Sequence, residues 1–367
     1  MSGVDARAHG RARLASVPQA SLPAHERPEG ALVVAARAGD EGAFRALTEP
    51  CKRELHVHCY RMLGSLHDAE DLVQETLLRA WNRLDSYEGR APFRAWLYKI
   101  ATYACLNELG RRRRQLPPRA YARPADPADE LVPYSAEITQ LEPYPDVLYD
   151  ELRAEAGDPH ARYLAHETIE LAFLTAIQLL PPRQRAVLIL REVLGFSASE
   201  AAALLEITVP AVNSALQRAR GKLAKQPTSA PETIRLEADS DDAEVLRRYM
   251  RAFEAADVRA LAALLKEDVI LTMPPAPSWY SGRDSVTAWF STSPYAFGDA
   301  TRRFRLLPTR ANRQPAFAAY TWDPEAATFK AYGLMVLQLA DGLVAEITGF
   351  GDASLFPFFS LPDELAA

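Results

Sequence analysis

The chain has 367 residues, 48% of them hydrophobic, enough to fill two or three cores of ~100–150 residues each and too many for one. Its 42 Lys and Arg against 48 Asp and Glu leave a formal net charge of -6. That balance excludes a uniformly basic nucleic-acid binder and confines any DNA contact to local patches. Cys51, Cys59 and Cys105 are an odd set without paired spacing, which fits a reducing compartment better than a disulfide framework. No run has the length and apolarity of a signal peptide or a bilayer span, so the expectation is a cytoplasmic protein without membrane contact.

In chain order, residues 1–30 mix Arg and Pro and are expected to form a disordered tail. From Leu32 to Arg114 apolar residues recur at helical spacing, with breaks at Pro50, at Gly64-Ser65 and from Gly89 to Pro92. This predicts a small all-helical domain over 31–115. Residues 116–165 are Pro-rich, and from Pro124 to Asp158 ten Asp and Glu stand against Arg153 alone, the composition of an acidic linker. Within it, Leu141-Glu-Pro-Tyr-Pro-Asp146 is more specific than a tether requires and is expected to pack. Helical spacing returns over 166–226, and 227–240 form a second linker. In 241–367 a helix is expected from Asp242 to Leu265. Strands follow at Val269–Met273, Phe304–Leu307, Phe317–Tyr320, Phe329–Leu339 and Leu343–Phe350, the last two joined by Asp341-Gly342, a type I′ hairpin signal. The predicted fold class is multidomain: two all-α domains joined by an acidic linker, then an α+β cone.

A helix over Asp68 to Leu84 places Leu72, Val73, Thr76, Leu77, Ala80 and Leu84 on one face, and Asp71, Gln74, Glu75, Leu78 and Asn82 on the other. The second face reads either as a solvated surface or as a docking surface whose carboxylates meet basic groups of a partner. Next, Tyr87-Glu-Gly-Arg-Ala-Pro-Phe-Arg-Ala-Trp-Leu leads into a helix ending in the run Arg111 to Arg114. Aromatics interleaved with cations suit single-stranded nucleic acid, since rings stack on bases while Arg and Lys follow phosphates. Burial of Phe93 and Trp96 as core is the competing account of each ring taken singly.

Asp68-Ala-Glu-Asp-Leu-Val-Gln-Glu-Thr-Leu-Leu-Arg-Ala-Trp81, with Phe93-Arg-Ala-Trp-Leu-Tyr-Lys-Ile-Ala101 and the Arg run, resembles region two of the extracytoplasmic-function sigma factors. That resemblance implies docking of Asp71, Gln74, Glu75 and Leu78 on the clamp coiled coil of the largest subunit of RNA polymerase. It also implies melting of the −10 promoter element, with a base flipped from the non-template strand. The candidates for that contact are Tyr87, Arg90, Phe93, Arg94, Trp96, Lys99, Arg111, Arg112 and Arg113. Tyr103 and Asn107 stand where the family commonly has Asn and Asp.

Ser197-Ala-Ser-Glu200 is a capping-box pattern opening a helix to Leu205, and Thr208 with Val209-Pro210 opens another. The pair reads as a helix-turn-helix. Its second helix turns Val212, Leu216, Ala219 and Leu223 inward. Leu180-Pro-Pro-Arg-Gln-Arg-Ala-Val-Leu-Ile-Leu-Arg-Glu192 with this helix resembles sigma region four, which reads the −35 element and meets the polymerase flap. Thr208, Asn213, Ser214, Gln217, Arg218 and Arg220 are its DNA candidates; Ala215 stands where many relatives have Arg.

The stretch from Tyr249-Met-Arg-Ala-Phe-Glu-Ala-Ala-Asp257 through Ser281-Gly-Arg-Asp284 resembles the SnoaL-like family, whose cones enclose a pocket. A small-molecule ligand is then expected among Trp279, Tyr280, Trp289, Phe290 and Tyr332. Cys51, His56, His58 and Cys59 do not converge as metal ligands, because residues two apart on a helix point to nearly opposite sides. No metal, cofactor or catalytic residue is expected. The function expected is that of a promoter-specific sigma factor modulated by its cone. A ligand-responsive helix-turn-helix regulator and a small-molecule enzyme tethered by the helical part are the alternatives.

Overall fold

The computed structural model describes residues 29–111, 123–129, 141–155, 170–224 and 241–367. The first domain packs α1 (Glu29–Arg37), α2 (Glu41–Leu63), α3 (Leu66–Asn82) and α4 (Phe93–Arg111) into one core. Local chemistry sets the boundaries. Asp40 caps α2 by accepting from the Ala43 amide, and Gly64, at φ 81, ends it; Ser65 caps α3 by accepting from the Asp68 amide. The expected break at Pro50 does not occur, and α2 runs through it. Leu47, Cys51, Leu55 and Cys59 line its buried side, and burying them offsets the roughly 3 kcal/mol that a mid-helix proline costs. Helix α1 starts at Glu29, inside the stretch assigned to the tail; residues 1–28 lie outside the described residues.

Part of the expected tether is folded. Leu141 to Pro145 lead into α5 (Asp146–Glu155), and Glu142, Tyr144, Asp146 and Tyr149 are all buried. Ala125, in the other described piece of this stretch, donates its amide to the Trp279 carbonyl at 2.8 Å. The second helical domain follows as α6 (Leu171–Gln178), α7 (Pro182–Leu188) with a π turn at Ile189–Val193, α8 (Ala198–Leu205) and α9 (Val209–Leu223).

The last domain is an α+β cone: α10 (Asp241–Glu254), α11 (Val258–Ala262) and α12 (Arg283–Thr292) with strands β1 (Leu265–Thr272), β2 (Trp279–Ser281), β3 (Phe304–Ala311), β4 (Gln314–Asp323), β5 (Thr328–Ala340), β6 (Leu343–Phe350) and β7 (Glu364–Leu365). The single helix expected over Asp242–Leu265 is interrupted. Ala256 takes φ 51, and Asp257 caps α11 by accepting from the Ala260 amide. The sheet runs β2-β1-β6-β5-β4-β3, with β7 added to β5; the β1–β6 pair is parallel and the others antiparallel.

Along the middle of β4 and β5 residues alternate between two buried faces. Phe317, Ala319, Met335 and Leu337 join Tyr249, Phe253 and Phe290 from the helices. Ala318, Tyr320, Leu334 and Val336 face the other way, under the turn Ala353–Phe359, and belong to the same core as the helical domains. Gly333 lets β5 and β6 approach, since a Cβ there would lie 2.3 Å from the Phe350 carbonyl oxygen. Asp341 and Gly342 take φ 56 and 70, as a type I′ turn requires. The β3–β4 turn is of the same hand, with Asn312 at φ 54 and Arg313 at 63.

Candidate polymerase and nucleic-acid interface

Helix α3 buries Leu66, Ala69, Leu72, Val73, Thr76 and Ala80. Asp71 and Gln74 are exposed on the other side, and Glu75 is half-exposed with Arg79 at 2.6 Å. Leu78, at 61% exposure, is among the large apolar side chains the fold leaves in water. The start of α3 receives a second cap from the linker: the Glu142 carboxylate accepts from the Leu66 amide at 2.5 Å, the His67 amide at 3.1 Å and the Ser65 hydroxyl at 3.1 Å. A carboxylate at a helix N-terminus satisfies orphan amides and opposes the helix dipole.

The set expected to meet single-stranded DNA divides. Tyr87 and Phe93 are buried and form a ring cluster with Trp96 at 5.4–5.5 Å between centroids. Glu29 pins them by accepting from the Tyr87 hydroxyl and the Phe93 amide. In this arrangement Tyr87 and Phe93 are core, with no face free to stack on a base; Trp96 is half-buried. Arg90 is exposed beside Glu88, Arg94 pairs with Glu54 at 2.6 Å and lies over the Tyr98 ring, and Arg111 is exposed at the end of α4. Arg112 and Arg113 lie outside the described residues. Lys99 is engaged across domains, holding the Glu206 carboxylate at 2.8 Å. Tyr103, one turn on, also bonds to Glu206, and burial raises its phenol.

Glu206 occupies the turn of the helix-turn-helix in a left-handed conformation. On its N-terminal side Ser197 and Glu200 form the reciprocal capping box. On its C-terminal side Thr208 accepts from the Ala211 amide at 3.3 Å, with Pro210 in the first turn of α9. Val212, Ala215, Leu216 and Ala219 are buried, so Ala215 faces the core, where an Arg would find no groove. Asn213, Gln217, Arg218 and Arg220 point outward and Ser214 is half-buried. Arg218 donates to Ser214 at 2.7 Å, and Arg220 is paired with Glu192.

The two helical domains touch. The Tyr98 and Phe196 rings meet at 5.9 Å. Buried Arg185 on α7 donates to the carbonyls of Ile177 at 3.0 Å and Gln178 at 2.9 Å, and also to Met62. Met62 lies in the last turn of α2, where carbonyls lack helical partners, so Arg185 acts as a cap delivered from another domain. Beneath this contact His58 bonds Thr102 at 2.9 Å, and burial lowers its pKa to about 3.

The cone meets both through its β3–β4 turn. Asn312, fully buried, accepts from the Tyr144 amide at 2.7 Å and donates its own amide to the Tyr144 carbonyl at 2.8 Å. Its side-chain nitrogen donates to the Tyr60 hydroxyl at 3.0 Å, which donates to the Glu142 carbonyl at 2.6 Å. Pro145 and Ala311 make an antiparallel bridge. Arg310 and Arg313 hold Asp146 at 3.0 and 3.7 Å, and Gln314 accepts from the Leu171 amide at 3.4 Å. One turn therefore contacts the first domain, the linker and the second domain.

Three of the rings expected to line a cone pocket pack on one another. Tyr280, Trp289 and Phe290 are buried, with Tyr280–Trp289 and Trp289–Phe290 centroids at 6.0 and 5.4 Å; Trp279 and Tyr332 are half-buried. His56 bonds the Tyr144 hydroxyl at 2.9 Å, and among the described residues no helix is long and apolar enough to cross a membrane. Glu142, Arg185, Glu206 and Asn312 are the interface residues that sequence reasoning missed. The Asn312-Arg313 pair carried a turn signal only through its Asn, and the others sit in motifs read for different residues.

Comparison with known proteins follows the same division. Residues 47–115 match the Sigma-70 region 2 family, 170–223 the Sigma-70 region 4 family, and 246–347 the SnoaL-like domain. The chain is 44% identical over 327 residues to the ECF RNA polymerase sigma factor SigG of Mycobacterium tuberculosis, covering 88% of this chain and 85% of that protein. It is 29% identical over 191 residues to SigW of Bacillus subtilis, covering 51% of this chain and 90% of SigW. The crystal structure of the extracytoplasmic-function sigma factor SigJ of M. tuberculosis shares the fold with a TM-score of 0.51 at 23% identity, covering 87% of this chain and 99% of that one.

Proposed function

The chain belongs to the extracytoplasmic-function sigma factors, which bind core RNA polymerase and direct promoter-specific initiation, and on that premise we propose how its parts share the work. Asp71, Gln74, Glu75 and Leu78 dock α3 on the clamp coiled coil of the largest subunit. Arg90, Arg94, Trp96, Lys99 and the basic end of α4 hold the −10 strand. Thr208, Asn213, Ser214, Gln217, Arg218 and Arg220 read the −35 element from the major groove, with the second domain on the flap. It does this in the cytoplasm, beside polymerase.

The cone regulates these steps and carries no catalytic role. The observation behind this reading is the β3–β4 turn, where Asn312 bonds Tyr144 and Tyr60 while Gln314 accepts from the Leu171 amide, so the cone is positioned to hold the helical domains against each other. The −10 and −35 elements lie about 25 base pairs apart, on the order of 80 Å of duplex at 3.4 Å per pair. Lys99 and Glu206 are in contact, so one chain in this arrangement does not span both elements, and the cone's grip opposes opening. Any ligand of the cone acts on that grip.

The test is in vitro transcription with bacterial core polymerase on a library of upstream DNA from the protein's own source, using the full chain and a truncation after residue 226. Specific initiation supports the reading, and a higher output from the truncation gives the cone an inhibitory sign. Equal output from both removes the case for regulation, and absence of core binding by either removes the docking assignment.

A further inference from the structure

A cleft of about 900 Å³ lies where the folded linker meets the cone. Its walls come from three separate stretches: Val147 of α5, Leu246 and Met250 of α10, and Pro308, Phe317 and Phe359 from the sheet side. The volume falls within the range of small-molecule sites, and the walls are apolar as such sites are. Val147, 48% exposed, is a large apolar side chain that the fold leaves uncovered there.

The rim decides the chemistry of the guest. Asp146 is held by Arg310 and Arg313, Asp150 by Arg313 at 2.5 Å, and Arg247 by Glu244 at 2.8 Å. Each of these charges already has its counter-ion, so a charged guest would have to break a pair, whereas an uncharged one leaves all of them in place. We infer that this cleft binds one small, uncharged, apolar molecule, and that the guest steadies the docking of the linker on the cone.

The coupling follows from continuity. The Val147 wall begins at Asp146, directly after Tyr144 and Pro145, which the β3–β4 turn grips. A guest that touches both α5 and α10 favours the docked arrangement in proportion to its occupancy. This coupling rests on the reading of the cone as a clamp, whereas occupancy of the cleft does not.

The test therefore reads binding on the free full chain, without polymerase or DNA. The probe is N-phenyl-1-naphthylamine, an uncharged apolar fluorophore. Its emission should shift to the blue and saturate at one probe per chain. Met250→Trp, which fills the cleft, and Val147→Asp, which places an unpaired charge on an exposed wall, should each weaken binding about tenfold or more while leaving the far-UV circular dichroism unchanged. Absence of saturation, or an affinity that neither substitution alters, overturns the site; the latter is also what binding inside the cone would give. A saturating probe that fails to protect segment 141–155 from protease would remove the clamp coupling and keep the site.

Discussion

The two functional helices of the first domain are in opposite states. On α3 the side expected to dock on polymerase is open to solvent, with Asp71 and Gln74 exposed and Leu78 uncovered. On α4 Lys99 and Tyr103 are already occupied by the Glu206 carboxylate from the helix-turn-helix. A carboxylate held by a Lys and a phenol stands where a phosphate would be attracted by the same groups. On the proposed assignment of these helices, the difference orders events: the closed chain would meet polymerase before it could hold the −10 strand. On the same reading, polymerase binding would provide the free energy that separates the domains.

The largest effect is expected where the surface is open. Asp71→Arg with Glu75→Arg reverses two charges on a solvent-facing side of α3, and should weaken binding to core polymerase by ~2–4 kcal/mol, roughly thirty- to a thousandfold. Neither side chain is buried and the Glu75–Arg79 pair that is lost lies on the surface, so thermal unfolding of the free chain should change little. Titration of labelled chain with core polymerase checks this, and undiminished affinity would move the docking surface elsewhere.

The occupied helix rests on a core that can itself be tested by pH. His58 is buried neutral with a pKa of about 3, against about 6.5 when unfolded. Between those values the unfolded chain binds the extra proton, so the stability this group confers is complete above pH 6.5 and is lost as pH falls towards 3. The slope is up to about 1.4 kcal/mol per pH unit. Urea unfolding from pH 7 to 4.5 should show a decline that His58→Gln flattens; equal slopes in the two proteins would mean that the imidazole is reached by water.

Asn312→Ala should cost about 2–3 kcal/mol, since it strips a buried amide of its partner and places Ala in the left-handed region. The loss should fall on the joint. Segment 141–155 should become cleavable by protease well below the unfolding midpoint of the first domain. Simultaneous loss of both would show that the cone and that domain unfold as one body.

Much of this was legible in the sequence because it rests on local chemistry. The capping box at Ser197, the turn at Asp341-Gly342 and the apolar face of α3 depend on residues within one or two turns of each other. What was not legible depends on distant partners. Pro50 signals a helix end, yet α2 continues because its buried side outweighs one missing hydrogen bond. Tyr87 and Phe93 fit a stacking motif and a core equally well until Glu29 is seen to bond both. Trp289 and Phe290 were read as a pocket lining, and their membership of one packed cluster with Tyr249 and Phe253 depends on partners far away in the chain. Glu142 and Arg185 cap helices 76 and 123 residues away, a pairing that no local pattern announces.

The smallest effect bears most directly on the comparison. Glu206 and Lys99 form a solvent-exposed pair, and such pairs contribute little to stability, so Glu206→Gln should leave the melting curve of the free chain where it is. Its consequence is competitive: Lys99 and Tyr103 lose an internal anion and become available to an external one. Affinity of the free chain for a single-stranded oligonucleotide carrying the −10 element recovered from run-off transcription should rise about two- to fivefold, and the gain should shrink as salt screens the pair. If core polymerase holds the domains apart, as the proposed function requires, the substitution should make no difference in its presence. A gain that persists on polymerase would mean that Glu206 repels DNA from a distance, and the occupied and open helices would no longer be two stages of one sequence.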